Sequence, residues 1–130
     1  MLIFGHRFIA SPRFYHIDGI DTIAHTPGGS LLYLPFAEEN LDIISHMTQN
    51  GLEFALEAAS LREVVYAENL GAKFIIIDNE LASEAQKCAE NYLFDAKILC
   101  RIDDEDKIEV MAEAGIDGVL FTEAIIKVTG

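Results

Sequence analysis

The chain has 130 residues, of which 51% are hydrophobic and 24% are charged, with three prolines and nine glycines. This composition is typical of one globular domain and excludes a disordered, collagen-like or low-complexity chain. The 9 basic and 22 acidic residues give a formal net charge of −13, all of it carried by residues 38–130. Because an acidic chain repels phosphate backbones and anionic lipids, no nucleic acid or membrane partner is expected.

The cysteines and the apolar runs of the sequence indicate in which cellular compartment the protein is expected. Cys88 lies in a helical pattern and Cys100 in an apolar run, and free cysteines are mostly small buried hydrophobic residues. No apolar run approaches the roughly 20 residues that cross a bilayer, and the chain does not start with a signal-peptide pattern. A cytoplasmic protein is therefore expected.

Residues 1–29 are predicted to form a β-hairpin or cap. Two apolar segments, at residues 2–4 and 14–17, flank the turn signal Ser11-Pro12-Arg13, and Pro27-Gly28-Gly29 ends the region. The aromatic residues of this segment are expected to cover the sheet or a neighbouring subunit, with a docked partner as the alternative.

Residues 30–130 are predicted to form a βα array, which together with the cap makes one domain. Strands are predicted at residues 31–36, 52–56, 73–78, 96–102 and 118–121, with helices between them and a short helix at residues 124–128. The strands are apolar on both faces. This pattern predicts an α/β fold with a mainly parallel five-stranded sheet and helices on both sides.

Several residues are predicted to start helices. Ser60 and Glu63 have the spacing of a capping box. Asn79 and Asp103 are candidate N-caps of the next two helices.

Residues 52–128 resemble the C-terminal half of phosphate-binding (βα)8 barrels, closest to the indole-3-glycerol phosphate synthase family. The resemblance lies in the segments at residues 67–79, 111–121 and 123–124. It implies a half-barrel fold. It also matches Glu57 to a carboxylate at a substrate-facing strand end of the family, and Asp78-Asn79 to the family's Asn pair.

The chain departs from this family where the family binds phosphate. The first phosphate loop corresponds to residues 100–104, which carry two carboxylates, and in the second Thr122 replaces a glycine. The family's catalytic lysine has no counterpart. The resemblance therefore extends to the fold, and the array is expected to form an open flavodoxin-like sheet or a half-barrel that pairs with a second copy.

Polar residues follow the predicted strands, where ligands of parallel sheets bind. The candidate ligand-binding residues are Glu57, Asp78, Asn79, Arg101, Thr122 and Glu123. Clustered carboxylates could bind Mg²⁺ or Ca²⁺, hold a cationic ligand or act as general acid and base. The alternative is structural: Asp78, Asn79 and Thr122 would cap helices, and Arg101 would pair with the acidic residues 103–106.

Three functions remain open. The favoured one is a non-catalytic or small-ligand-binding module that forms a homo-oligomer. The others are a small enzyme using Glu57, Asp78 and Glu123, and an interaction protein that docks through residues 1–29. No cofactor is expected, and no zinc site, because His6, His16 and His25 lack ligand spacing and nearby cysteines.

Overall fold

The structure, a computed structural model, describes residues 1–128. Eight strands form one sheet: β1 (Leu2–Phe4), β2 (Phe14–His16), β3 (Leu31–Pro35), β4 (Phe54–Glu57), β5 (Phe74–Ile77), β6 (Lys97–Ile102), β7 (Gly118–Phe121) and β8 (Ile125–Lys127). The helices are α1 (Ile20–Ile23), α2 (Leu41–Gln49), α3 (Leu61–Asn69), α4 (Ala82–Asn91) and α5 (Asp106–Glu113). Single 3-10 turns span Glu38–Asn40, Asn79–Leu81 and Thr122–Ala124.

The sheet is parallel throughout, in the order β1-β7-β6-β5-β4-β3-β2-β8. All five predicted strands are present, as β3 to β7, and the α/β class with a parallel sheet is confirmed. The predicted number of strands was wrong, because the sheet has eight strands rather than five. The extra three come from the two ends of the chain.

The N-terminal segment does not form a hairpin. β1 pairs with β7, and β2 lies between β3 and β8, all in parallel. A parallel connection usually needs a dozen or more residues and a helix, whereas residues 5–13 join β1 to β2 without a helix. The short link with its turn signal therefore suggested a hairpin.

The predicted helix at residues 124–128 was also wrong. A 3-10 turn at Thr122–Ala124 leads directly into β8. In β8, Ile125 and Ile126 are β-branched, which favours an extended chain, and they pair with Phe14 and Tyr15. This long-range pairing overrides the weak local helical pattern.

The sheet is curled into a half-barrel. Its two ends approach each other, since the ring centroids of Phe4 on β1 and Phe14 on β2 are 5.1 Å apart. Only the three-residue turn separates β7, which pairs with β6, from β8, which pairs with β2. Strands β7 to β2 also follow one another in strictly descending order, whereas a doubly wound sheet reverses direction at a switch point. The half-barrel alternative therefore describes this sheet.

The helices cover only the outer face of the sheet. Apolar residues of the longer helices, among them Ile44, Val64, Ala85 and Met111, join one buried cluster with the outward-facing strand residues. The second cluster contains the inward-facing residues and no α-helical residue. The prediction of helices on both sides is thus wrong, because the inner face of a curled sheet packs against itself. This is why the strands are apolar on both faces.

One glycine is required by close packing on the inner face. A Cβ built on Gly118 would lie 2.7 Å from Leu99 Cδ2 and 2.8 Å from the carbonyl oxygen of Leu2. The strands β6, β7 and β1 meet there with no room for a side chain.

The helix starts agree in part with prediction. Ser60 Oγ accepts from the Glu63 amide at 3.2 Å, whereas Glu63 Oε1 accepts from the Ala59 amide rather than from Ser60. At the start of α5, the carboxylate of Asp104 accepts a hydrogen bond from the backbone amide of Asp106 at 2.9 Å. The predicted N-cap was Asp103. No helix in residues 1–128 is long and apolar enough to cross a membrane.

Candidate functional site

A group of polar side chains lies on the inner face near the carboxyl ends of the strands. Each of these side chains comes two residues after an inward-facing apolar residue of the same strand. It therefore lies on the same face of the sheet. They are His16 after Phe14, Tyr33 after Leu31, Glu57 after Ala55 and Arg101 after Leu99. We call these four residues the polar layer.

Arg101 is held at the centre of the polar layer. Its Nη2 lies 3.0 Å from Glu57 Oε1 and 3.3 Å from the hydroxyl of Tyr33. The Tyr33 hydroxyl in turn donates to Glu57 Oε1. The guanidinium carbon lies 5.9 Å from the centre of the Tyr33 ring, within cation–π range. Glu57 and Tyr33 therefore fix one side of the guanidinium.

Not every donor of Arg101 is used in this arrangement. Its Nε is buried and has no hydrogen-bond partner among the residues that the structure describes. Buried donors are nearly always paired in native proteins. The guanidinium thus keeps one buried donor that the described residues do not satisfy.

Burial tunes the two other titratable members of the polar layer. Burial and the hydrogen bond to Glu57 raise the pKa of Tyr33 well above its ordinary value, so its hydroxyl stays protonated as a donor. Burial and the nearby ammonium group of Lys127 lower the pKa of His16, so its ring stays neutral at pH 7. The ring centroids of His16 and Tyr33 are 4.9 Å apart.

A cavity of about 330 Å³ opens beside Arg101 at the ends of β5, β6 and β7. We call it the carboxyl-end cavity. It is lined by Asp78, Asn79, Glu80, Arg101, Ile102, Asp103, Lys107 and Thr122. Its size lies at the lower end of the range for small-molecule sites.

The charged groups around this cavity are not paired with one another. Within residues 1–128, the only salt bridge made by a lining residue joins Arg101 to Glu57. The carboxylates of Asp78 and Asp103 accept no hydrogen bond from the described residues, and the ammonium group of Lys107 donates none. Asp78, Asn79 and Thr122 also lack the predicted capping bonds. The cavity thus offers free donors and acceptors of both charges.

Cys100 lies next to this group but has no reactive thiolate. Burial, together with the carboxylate of Asp78, raises the pKa of its thiol to about 11, although Lys107 opposes the shift. The thiol is therefore protonated at neutral pH, which removes it as a nucleophile.

The structure brings four of the six predicted site residues to one place. Asp78, Asn79, Arg101 and Thr122 line the carboxyl-end cavity, and Glu57 contacts Arg101 from the polar layer. Glu123 lies elsewhere, lining a second cavity with Arg7 and other residues of the 5–13 segment. Arg101 pairs with Glu57, whereas the structural alternative paired it with residues 103–106.

The arrangement does not favour a cation held by Glu57, Asp78 and Glu123. Glu57 is neutralised by Arg101, and Asp78 and Glu123 line different cavities. Across residues 1–128, no group of three or more His, Cys, Asp or Glu side chains is placed to hold a metal ion.

Sequence reasoning missed two residues of this region, Tyr33 and Lys107. Tyr33 was read as part of an apolar strand, although it shares a face with Leu31 and is polar at its tip. Lys107 lies in the first turn of α5, where the helix dipole disfavours a cation. A lysine at this unfavourable position was the signal in the sequence that could have indicated a binding role for Lys107.

The N-terminal histidines serve different purposes. The Nε2 of His6 and the Nη1 of Arg7 both lie 2.6 Å from Glu105 Oε1. The Nδ1 of His6 accepts from the Phe8 amide at 3.1 Å, which leaves Nε2 to donate to Glu105. These contacts tie the 5–13 segment to the start of α5 and lower the pKa of Glu105.

Comparisons with known proteins add no family to this description. No protein-family model matches the chain, and a search of curated proteins found no significant match. The curled parallel sheet is compatible with one half of a (βα) barrel.

Proposed function

We propose that this chain is a small-ligand-binding module whose site is the carboxyl-end cavity. The observation that carries the proposal is the set of free polar groups around one cavity beside Arg101, whose guanidinium is fixed on one side by Glu57. Ligands of parallel sheets bind at this end of the strands. The ligand is small and polar, since the lining has a single apolar side chain, that of Ile102.

The enzymatic alternative has less support. It requires Glu57, Asp78 and Glu123 to act together as acid, base or metal ligands, and these carboxylates lie in separate surroundings. Binding without chemistry needs only the groups that line the cavity.

Nuclear magnetic resonance tests the binding proposal. Glycine, inorganic phosphate, glycerol and MgCl₂ are titrated separately into the ¹⁵N-labelled protein, and the backbone amide signals are followed. We expect at least one probe to shift the signals of Asn79, Asp103 and Thr122 in a saturable manner. The proposal fails if no probe gives a saturable shift there, or if the saturable shifts map to another part of the chain.

Self-association is the second part of the proposed function. Leu93 is 86% exposed and has a φ of 53°, in the left-handed region that favours glycine or asparagine. Its neighbour Tyr92 is 76% exposed. Neither burial nor backbone preference accounts for a leucine at this position, whereas contact with a second copy would bury it.

Sedimentation tests this second part. We expect the wild type to sediment as a dimer or larger at micromolar concentration, and Leu93→Asn to sediment as a monomer with unchanged or higher stability. A wild type that remains monomeric would contradict self-association.

A further inference from the structure

The charges around the carboxyl-end cavity restrict the class of ligand. Two cationic side chains, Arg101 and Lys107, share the lining with three carboxylates, those of Asp78, Glu80 and Asp103. A simple anion would meet the carboxylates, and a simple cation would meet Arg101 and Lys107. In both cases one set of lining charges would repel the ligand or lose water without a partner.

Arg101 and Lys107 are suited to a carboxylate on the ligand. Among the described residues, the guanidinium is held by Glu57 and Tyr33 through Nη2, which leaves Nη1 as a donor. Lys107 makes no salt bridge within residues 1–128. Charge-assisted hydrogen bonds from such donors to a carboxylate are stronger than neutral ones.

The acidic side chains provide the opposite partner. Asp78 follows β5 and Asp103 follows β6, the adjacent strand, so both lie at the same edge of the sheet. Neither carboxylate is used for helix capping or for an ion pair among the described residues. An ammonium group placed beside them would gain charge-assisted hydrogen bonds from oxygens that are otherwise free.

We propose that the carboxyl-end cavity binds a small zwitterion of the amino-acid class, with its carboxylate at Arg101 and Lys107 and its ammonium group at Asp78 and Asp103. This inference rests on the proposed function of the cavity. The carboxamide of Asn79 and the hydroxyl of Thr122 supply further polar contacts, and the volume of about 330 Å³ leaves room for a short side chain. Glu57 acts as a positioning residue for Arg101.

Calorimetric titration of the wild-type protein with each standard amino acid is the first test. The amino acid that binds best is then compared with its decarboxylated amine and its deaminated acid. We expect both half-molecules to bind at least roughly tenfold more weakly, because each loses one set of charge-assisted hydrogen bonds. A half-molecule that binds as tightly as the intact amino acid would overturn the inference.

Variants then locate the two ends of the ligand. Lys107→Gln and Asp103→Asn are each expected to weaken binding of the amino acid by roughly tenfold or more. Lys87→Gln is the matched control, since Lys87 is exposed on α4 and does not line the cavity. It should leave the affinity unchanged. A loss in Lys87→Gln as large as that in Lys107→Gln would overturn the inference, because it would reflect net charge rather than contact with the ligand.

The outcomes also separate this inference from the proposed function. If phosphate or glycerol binds at the cavity and no amino acid does, the zwitterion is wrong and the cavity remains a binding site. If no probe of any class binds there, both proposals fail.

Discussion

The two ends of the inner face have opposite character. At the amino end, Phe4, Phe14 and Phe74 pack edge to face, with ring centroids 5.1 to 5.8 Å apart. At the carboxyl end, Arg101 and Glu57 form an ion pair that the Tyr33 hydroxyl joins. A step of two residues along a strand separates the layers. Stability and binding can therefore be assigned to different positions of one strand.

The difference shows what each layer contributes. The aromatic contacts between β1, β2 and β5 join strands from the two ends of the sheet order and bury apolar surface, which stabilises the curled form. The ion pair of the polar layer is only partly shielded, with side chains 31% exposed for Arg101 and 22% for Glu57. This ion pair fixes the direction of the Arg101 guanidinium next to the cavity, and it contributes less to the stability of the fold than the aromatic contacts do.

The largest effect is expected from a charge in the apolar part of the inner face. Ile76 on β5 is fully buried between β4 and β6. A carboxylate there without a partner costs several kcal/mol, comparable with the whole stability of about 5–15 kcal/mol for a domain. We expect Ile76→Asp to be unfolded by circular dichroism. Val110→Asp, on an exposed face of α5, is the control and should melt normally; a folded Ile76→Asp would contradict the burial of β5.

A smaller loss is expected from the aromatic contacts of the N-terminal segment. Phe14 is fully buried and Phe8 is 76% exposed. In urea unfolding, Phe14→Ala should lose about 3–5 kcal/mol, as large core aromatics do, and Phe8→Ala should change by less than about 0.5 kcal/mol. Similar effects of the two substitutions would show that β2 is not part of the core.

Much of this architecture follows from the sequence. The continuous apolar runs of β3 to β7 and the helical spacing between them predict the parallel sheet, because these signals are local. The pairing of β1 with β7 and of β8 with β2 joins the two ends of the chain, and residues 2–4 and 125–127 are too short to indicate their partners. The long-range pairings that curl the sheet were therefore not predictable from local pattern.

The candidate site was predictable in part for the same reason. The rule for strand ends identifies Asp78, Asn79, Arg101 and Thr122, which line the cavity. The pairing of Glu57 with Arg101 depends on the curl, which turns both side chains inward. If the ion pair with Arg101 is left out, repulsion among the carboxylates predicts that Glu57→Gln stabilises the protein. With the ion pair and the Tyr33 hydrogen bond present, the expected sign is reversed.

The smallest effect concerns pH. Because the pKa of His16 is lowered in the folded protein, the unfolded chain binds more protons below its ordinary pKa of 6.5. The contribution of neutral His16 to the free energy of unfolding is complete above pH 6.5. It is lost as the pH falls from 6.5 through the lowered pKa of the folded protein. The free energy of unfolding of His16→Gln should therefore fall less than that of wild type between about pH 7.5 and about pH 5. Parallel pH profiles would contradict the burial of a neutral His16.

The role of Arg101 depends most directly on whether the polar layer acts as a connected unit that holds its guanidinium. A double-mutant cycle with Glu57→Gln and Arg101→Gln measures this in urea unfolding. We expect each single variant to be destabilised by about 1–3 kcal/mol, the usual range for a lost hydrogen bond to a charged group. The double variant should lose less than the sum, with a coupling free energy of about 1–3 kcal/mol. Effects that add to within about 0.3 kcal/mol would show two independent surface charges and would contradict a connected polar layer.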